Sequence, residues 1–279
     1  MAKIKIMSDR KIIIKPQRTF IKAQFREIIQ YKDLLYFLVL RDLKVRYKQT
    51  VIGSAWAILQ PFIQMVVFSI FFGKLAGIPS DNVPYPIFVY SALLPWTFFA
   101  NALTSCNNSI IGNSGLITKV YFPRLIIPFS AVCVCIVDLI LSFVVLIGIM
   151  WYYHFSITAN FIMILPLLLA TIFTALGVGT LLAALSVAYR DFRHIVPFGV
   201  QIWLFATPVI YPSSIVGSEY QFILNLNPMT GLINGFRSAI LNKQFDWRSI
   251  GISFSVSMLF FVAGMLYFNR VEKRFADII

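Results

Sequence analysis

Residues 51–72 hold 22 positions without a single charge, directly after a segment, 31–50, that carries five cations. At about 1.5 Å of rise per residue, a helix of that length crosses a hydrocarbon layer roughly 30 Å thick. The segment before it has helical periodicity. On a 3.6-residue repeat Tyr36, Val39, Leu40, Leu43 and Tyr47 share one stripe, with Asp33, Arg41, Lys44 and Lys48 opposite. A helix of this kind lies in a membrane interface with its cations near anionic head groups. The chain is therefore predicted to begin its membrane domain with an amphipathic interface helix that turns into the first span.

Composition extends this to the whole chain. With 59% hydrophobic residues, 13% charged residues and a mean hydropathy of +0.80, 279 residues cannot hide their apolar surface from water, so lipid is part of the solvent. Further spans are predicted at 87–106, 125–151, 161–187, 195–211 and 249–268. The fifth, with Pro197 and Pro208, is expected to be kinked. Between the fifth and sixth spans, two apolar pieces at 220–226 and 229–241 flank Asn227-Pro228, and each is too short to cross. They are expected to dip into the outer interface and return, the second starting at Thr230. Leu116, Ile117, Val120 and Tyr121 predict a short amphipathic helix in an inner loop. The fold class is thus an all-α polytopic membrane protein of six spans, comprising a basic tail (1–30, too short in its apolar runs to assign) and one domain over 31–279.

The net charge of +13 would suggest nucleic acid on a soluble surface, but its placement excludes that reading. With both ends inside, the inner side holds 20 Lys and Arg: the 13 before Val51, plus Lys119, Arg124, Arg190, Arg193, Arg270, Lys273 and Arg274. The outer side keeps four, Lys74, Arg237, Lys243 and Arg248. This is the asymmetry of cytoplasmic loops, and it sets the orientation. The N-terminus lacks the apolar core and cleavage site of a removable signal peptide.

Candidate chemistry is sparse. Gln60 and Gln64 lie one turn apart and should face protein or a wet cavity. Asp138 sits near the middle of the third span, where a carboxylate costs about 2.5–3.5 kcal/mol, and no other span offers it a mid-membrane cation. It reads either as a proton or ion relay or as a packed, hydrogen-bonded acid. His154 and His194 fall on opposite sides, and Cys106, Cys133 and Cys135 read as small buried residues, so no metal site is expected. Ala175, Gly179 and Ala183 form a ladder for close helix packing. Aromatic residues within the spans are either lipid-facing bulk or the lining of a passage, where flat rings stack on sugar faces. No phosphate-binding loop and no catalytic constellation is present, so uphill transport would draw on a partner or an ion gradient.

At RDLKVRYKQTVIGSAWAILQPF (41–62), LITKVYFPR (116–124), YRDFRH (189–194) and LNPMTGLINGFRSAIL (226–241) the sequence resembles the membrane subunits of ATP-binding-cassette exporters of O-antigen, capsule and teichoic-acid chains. The likeness covers nearly everything beyond residue 30; the tail before it has no counterpart in the pattern. It implies a permease homodimer in the bacterial cytoplasmic (inner) membrane, with two ATPase subunits that carry ATP and Mg²⁺, and both termini in the cytoplasm. The implied substrate is a lipid-diphosphate-linked glycan. By the same resemblance Arg41, Lys44, Leu116, Lys119, Arg124, Arg190, Asp191 and Arg193 would contact the ATPase. Trp56, Gln60, Gln64, Tyr90, Trp96, Phe99, Trp203 and Phe205 would line the conduit. Tyr220, Ile233, Phe236 and Arg237 would belong to the outer gate helices. Efflux of drugs or small amphiphiles, and an enzyme acting on lipid-linked sugars, are the competing functions. The enzyme lacks the paired carboxylates or metal cluster it would need.

Overall fold

The computed structural model describes residues 21–48, 53, 55–272 and 275, and among them every regular element is helical. In chain order these are α1 (Ile21–Gln30), α2 (Lys32–Lys48), α3 (Ala55–Phe68), α4 (Tyr85–Gly112), α5 (Ser114–Ile117), α6 (Ile126–Tyr152), α7 (Ile164–Ala188), α8 (Phe192–Ala206), α9 (Ser218–Leu226), α10 (Pro228–Ile240) and α11 (Trp247–Val271). A π-helical turn, Ser69–Leu75, extends α3, and a 3₁₀ turn, Ala159–Met163, leads into α7.

Among the described residues five helices are long and apolar enough to cross a membrane: Ala55–Leu75, Tyr85–Gly112, Ile126–Tyr152, Ala159–Ala188 and Trp247–Val271. They fall on the predicted first, second, third, fourth and sixth spans. The predicted fifth span, 195–211, is not among them. Its helix, α8, starts earlier and has 15 residues, about 22 Å long at 1.5 Å per residue, short of the apolar layer. Pro208 stops it instead of kinking it: Thr207 is already extended, as expected of a residue before proline. The chain from 192 to 211 nevertheless runs the height of α4. At one end Asn107 Nδ2 donates to the Phe192 carbonyl at 3.2 Å, and at the other Arg237 joins the carbonyls of Val209 and Phe88. Nineteen residues of α4 separate Asn107 from Phe88, roughly 28 Å of helix.

The core is α4. In its apolar window 78% of residues are buried, against 11% for α3. Tyr90 and Phe99 are each 0% exposed. The α4–α7 contact uses the small-residue ladder: Ala175 and Ala183 are buried, and a Cβ on Gly179 would reach Cys106 Cβ at 2.9 Å. The α7–α11 contact is closer still, because a Cβ on Gly177 would fall inside the backbone of Phe261 and one on Gly264 would overlap the Gly177 carbonyl. Beside this seam Thr174 Oγ1 bonds Ser257 Oγ at 2.6 Å.

Three local expectations change. Residues 21–30, within the tail left unassigned, are helical; the rest of that tail lies outside the described residues. The inner-loop helix is one turn, α5, followed by a turn at Thr118–Lys119 in which Val120 N still donates to the Leu116 carbonyl at 3.1 Å. The second outer helix starts at Pro228 and not at Thr230: Asn227 is its cap, its side chain accepting from Met229 N at 3.0 Å.

Candidate functional site

The end of the molecule predicted to face inward is built around α2. Its predicted outward residues Asp33, Arg41, Lys44 and Lys48 are all exposed. The predicted inward stripe is rotated, however: Tyr36 is 61% exposed, and Leu38 is the buried anchor. One and two turns beyond Leu38 on that side come Asp42 and Arg46. Arg46 pairs with Asp138, and Tyr47 donates its hydroxyl to the other Asp138 oxygen. Burial, and then the bond to Asp138, push the Tyr47 hydroxyl well above the ordinary phenol range. The mid-membrane carboxylate therefore has a cationic partner. It comes from the helix that precedes the first span, and span composition alone offered none.

This triad forms one end of a cavity of about 560 Å³ enclosed by α3, α4 and α6. Trp56, Gln60, Thr97, Asn101 and Ser142 line it, together with apolar Pro61, Leu94 and Leu139. Ser142 also ties the walls together, donating to the Ala57 and Asp138 carbonyls at 3.1 and 2.9 Å. Thr97 Oγ1 is buried without a hydrogen-bond partner among the described residues. Of the candidate conduit residues, Trp56 and Gln60 meet here. Gln64 is half-buried one turn further on. Tyr90 is wholly buried, donating to the Ser142 carbonyl at 3.0 Å. Trp96, Phe99 and Trp203 form an edge-to-face cluster joining α4 to α8, with Phe99 and Trp203 centroids 5.2 Å apart. Phe205 projects from α8, 59% exposed.

The inner end brings the second candidate group together. Arg41 donates to Asn113 Oδ1 at 2.7 Å, fixing α2 to the turn between α4 and α5. Leu116 is half-buried, Lys119 is exposed, and the Arg124 guanidinium lies 6.0 Å from the Phe275 ring centroid. Arg190, Asp191 and Arg193 are exposed on the turn from α7 to α8. That turn is held from behind by Asn107, whose amide bonds both Ser186 and the Phe192 carbonyl. Asn107 and Asn113, the two buried or half-buried amides that order this face, carry no sequence pattern that marks them.

At the outer end α9 and α10 differ. Tyr220 on α9 is 62% exposed, whereas Ile233, Phe236 and Arg237 on α10 are buried. Arg237 is satisfied by three backbone carbonyls, those of Phe88, Val209 and Tyr211.

Five helices long and apolar enough to cross a bilayer, in an all-helical fold, are those of a multi-pass membrane protein. The chain belongs to the ABC-2 type transporter family, whose sequence pattern matches residues 33–241. Membership implies an ATP-binding-cassette ATPase as partner. Among known proteins, it is 30% identical over 256 residues to the O-antigen export system permease protein RfbA of Myxococcus xanthus, covering 90% of this chain and 97% of that protein. It is 27% identical over 248 residues to the protein of the same name from Klebsiella pneumoniae, covering 88% and 95%. The polysialic acid transport protein KpsM of Escherichia coli is 22% identical over 244 residues, covering 84% and 92%.

Proposed function

We propose that this chain is the membrane subunit of an ATP-driven exporter that carries a lipid-linked, O-antigen-like polysaccharide across the bacterial cytoplasmic (inner) membrane. The observation that carries the reading is that relatives named for O-antigen export and polysialic acid transport align with 84–90% of this chain. That likeness weighs against small-amphiphile efflux and against an enzyme.

In this reading two copies of the chain assemble with two ATPase subunits, which hold the ATP and Mg²⁺. The stretch 192–211 makes a sixth crossing, supported by its bonds to Asn107 and Arg237 at opposite ends of α4. Both termini then lie in the cytoplasm, in keeping with 20 inner and four outer cations. The α2 helix lies in the inner interface. Arg41, Lys44, Lys119, Arg190, Asp191 and Arg193 receive the ATPase, with Leu116 and Arg124 beneath them. The α9–α10 pair is a re-entrant outer gate, with Tyr220 on its exposed arm and Ile233, Phe236 and Arg237 anchoring the buried one. The open faces of α3 and α8, with Trp56, Gln64 and Phe205, line the conduit between the copies, backed by the Trp96–Phe99–Trp203 cluster and Tyr90. The lipid-diphosphate anchor enters from the inner leaflet.

The test is deletion of the chain in its own cell with its ATPase left in place. Surface polysaccharide should disappear while lipid-linked glycan accumulates in the inner leaflet. Unchanged surface polymer overturns the reading.

A further inference from the structure

We propose that Asn227 is a positioning residue for transport, joining the outer end of α8 to the elbow between α9 and α10 so that displacement of α8 swings α9. The inference rests on the export reading and names the joint through which ATP use reaches the outer gate. Asn227 stands alone between the two helices, α9 ending at Leu226 and α10 starting at Pro228. The two arms of its amide serve different elements. Oδ1 accepts from Met229 N at 3.0 Å and caps α10, whereas Nδ2 donates to Thr207 Oγ1 at 2.8 Å, just past the end of α8. The Thr207 hydroxyl in turn donates to the Trp203 carbonyl at 2.8 Å, one turn back in α8. The cap needs an acceptor, and Thr207, its proton already given to Trp203, needs a donor. An amide supplies both.

Unequal anchoring sends a pull at this joint into α9. The first turn of α10 is fixed to α11: Gly231 N donates to Ser253 Oγ at 2.9 Å, and a Cβ on Gly231 would fall 2.3 Å from the Ser249 carbonyl oxygen. Met229, Leu232, Ile233 and Phe236 bury the rest of that helix. On α9, Leu224 is the one buried side chain among the described residues, while Phe222, Ile223 and Leu226 are exposed. Asn225 Oδ1 accepts from Ser249 Oγ at 3.2 Å beside the elbow and places the pivot there. An arm with little buried surface moves at lower cost than one packed along its length. Beyond Thr207, Arg237 holds the Val209 and Tyr211 carbonyls near the other end of α10, so displacement of α8 is taken up ahead of them, at Thr207. Thr207 is fully buried and Asn227 half-buried, so water does not readily take the place of either partner.

The experiment uses the full-length chain with its ATPase in nanodiscs of phosphatidylethanolamine and phosphatidylglycerol. A spin label is attached at Phe222→Cys on α9 or at Ile202→Cys on α8, both exposed positions. Cys106 and Cys135 are buried, and Cys133→Ala removes the half-buried thiol. ATP with vanadate should change the spectrum at both labels. Thr207→Val keeps shape and loses the hydroxyl; Asn227→Ser keeps a cap but is too short to reach Thr207. In each, the change should persist at 202 and be lost at 222. In cells both variants should retain ATP hydrolysis and export about threefold to tenfold less polymer, the worth of one hydrogen bond. The double variant should be no worse than the poorer single one. Thr207→Ser keeps the hydroxyl and should export as the unaltered protein does, although valine is closer in size; a packing role alone gives the reverse order.

No change at 222 in the unaltered protein, a change there that survives in either variant, loss of the change at 202 as well, or a Thr207→Ser defect as deep as that of Thr207→Val each overturns the proposal. The outcome separates from the export reading. Loss of surface polymer on deletion of the chain, with normal export by Thr207→Val and Asn227→Ser, removes the joint alone. Label changes as expected, with surface polymer unaffected by deletion, remove the export reading alone.

Discussion

The Arg237 guanidinium carbon lies 3.8 Å from the centre of the Phe88 ring, deep at the outer end of the bundle. The same guanidinium donates to the carbonyls of Val209 at 2.5 Å and of Tyr211 and Phe88 at 3.4 Å. One side chain thus ties the end of the α8 segment, the start of α4 and α10 into a single unit. Such a buried cation is retained only because the planar fork reaches several acceptors at once.

Replacing Arg237 by Met should destabilise the outer end by about 2–4 kcal/mol, since three carbonyls lose a charged donor. Arg237→Lys should recover little, because an ammonium cannot reproduce the fork. Phe88→Leu removes the ring face and part of the packing of a buried side chain, about 1–2 kcal/mol together. Thermal unfolding of the purified protein should rank the midpoints as wild type, Phe88→Leu, then both Arg237 variants. A midpoint for Arg237→Met equal to wild type contradicts the clamp.

The Arg46–Asp138 pair links α2 to α6, with Asp138 the more buried partner at 14% side-chain exposure and Arg46 at 37%. Each single change, Arg46→Gln or Asp138→Asn, leaves one charge unmatched and should cost about 1–3 kcal/mol. The double variant should cost less than the sum of the two, with a coupling of roughly 1–2 kcal/mol in unfolding measurements. Additive losses would mean the two groups do not act together.

Gly177 and Gly264 permit the close approach of α7 and α11. Gly264→Ala puts a methyl group onto a backbone carbonyl and should lower stability by about 1–3 kcal/mol, with reduced yield of folded protein. Gly148→Ala is the control: nothing lies within 4 Å of the added Cβ, and helix propensity favours the change by up to ~1 kcal/mol. Equal behaviour of the two variants contradicts the packing argument.

At the inner face, Arg190→Glu with Arg193→Glu should abolish co-purification of the ATPase while leaving membrane insertion and the unfolding midpoint unchanged. Both side chains are exposed. Association of the unaltered protein should weaken as salt rises from 0.05 to 0.5 M, a range over which the screening length falls from roughly 14 to 4 Å. Pull-down of the ATPase at several salt concentrations measures both.

The apolar segments were legible because a charge-free run of about 20 residues has few solutions in water. The Asn227-Pro228 break was legible as an interruption of two apolar pieces, but the second helix was started two residues late at Thr230, although asparagine as cap and proline as first residue are local signals of a helix start. Arg46 was harder. Periodicity locates a stripe relative to its own helix, and the inward face of α2 was set by where α6 presented Asp138, 92 residues away. The length of α8 was missed because hydropathy continues through Thr207, Val209 and Ile210, all buried, after the helix itself has stopped. In the candidate site, Trp56 and Gln60 stood out by type and spacing. Thr97 and Asn101 did not, since a single hydroxyl or amide on an apolar helix becomes informative only when a facing helix encloses it.

The glycine seam between α7 and α11 has a mechanical consequence. Two helices whose backbones touch, with α4 wedged against α7 through Gly179 and Cys106, cannot slide without breaking many contacts at once. This block is rigid, whereas α3 has most of its surface outside it and α8 is a short helix that ends at Thr207. If the ATPase of the proposed exporter pushes on Arg190–Asp191, the displacement would pass along α8 to the carbonyls that Arg237 holds, since the glycine-jointed block beside it would resist.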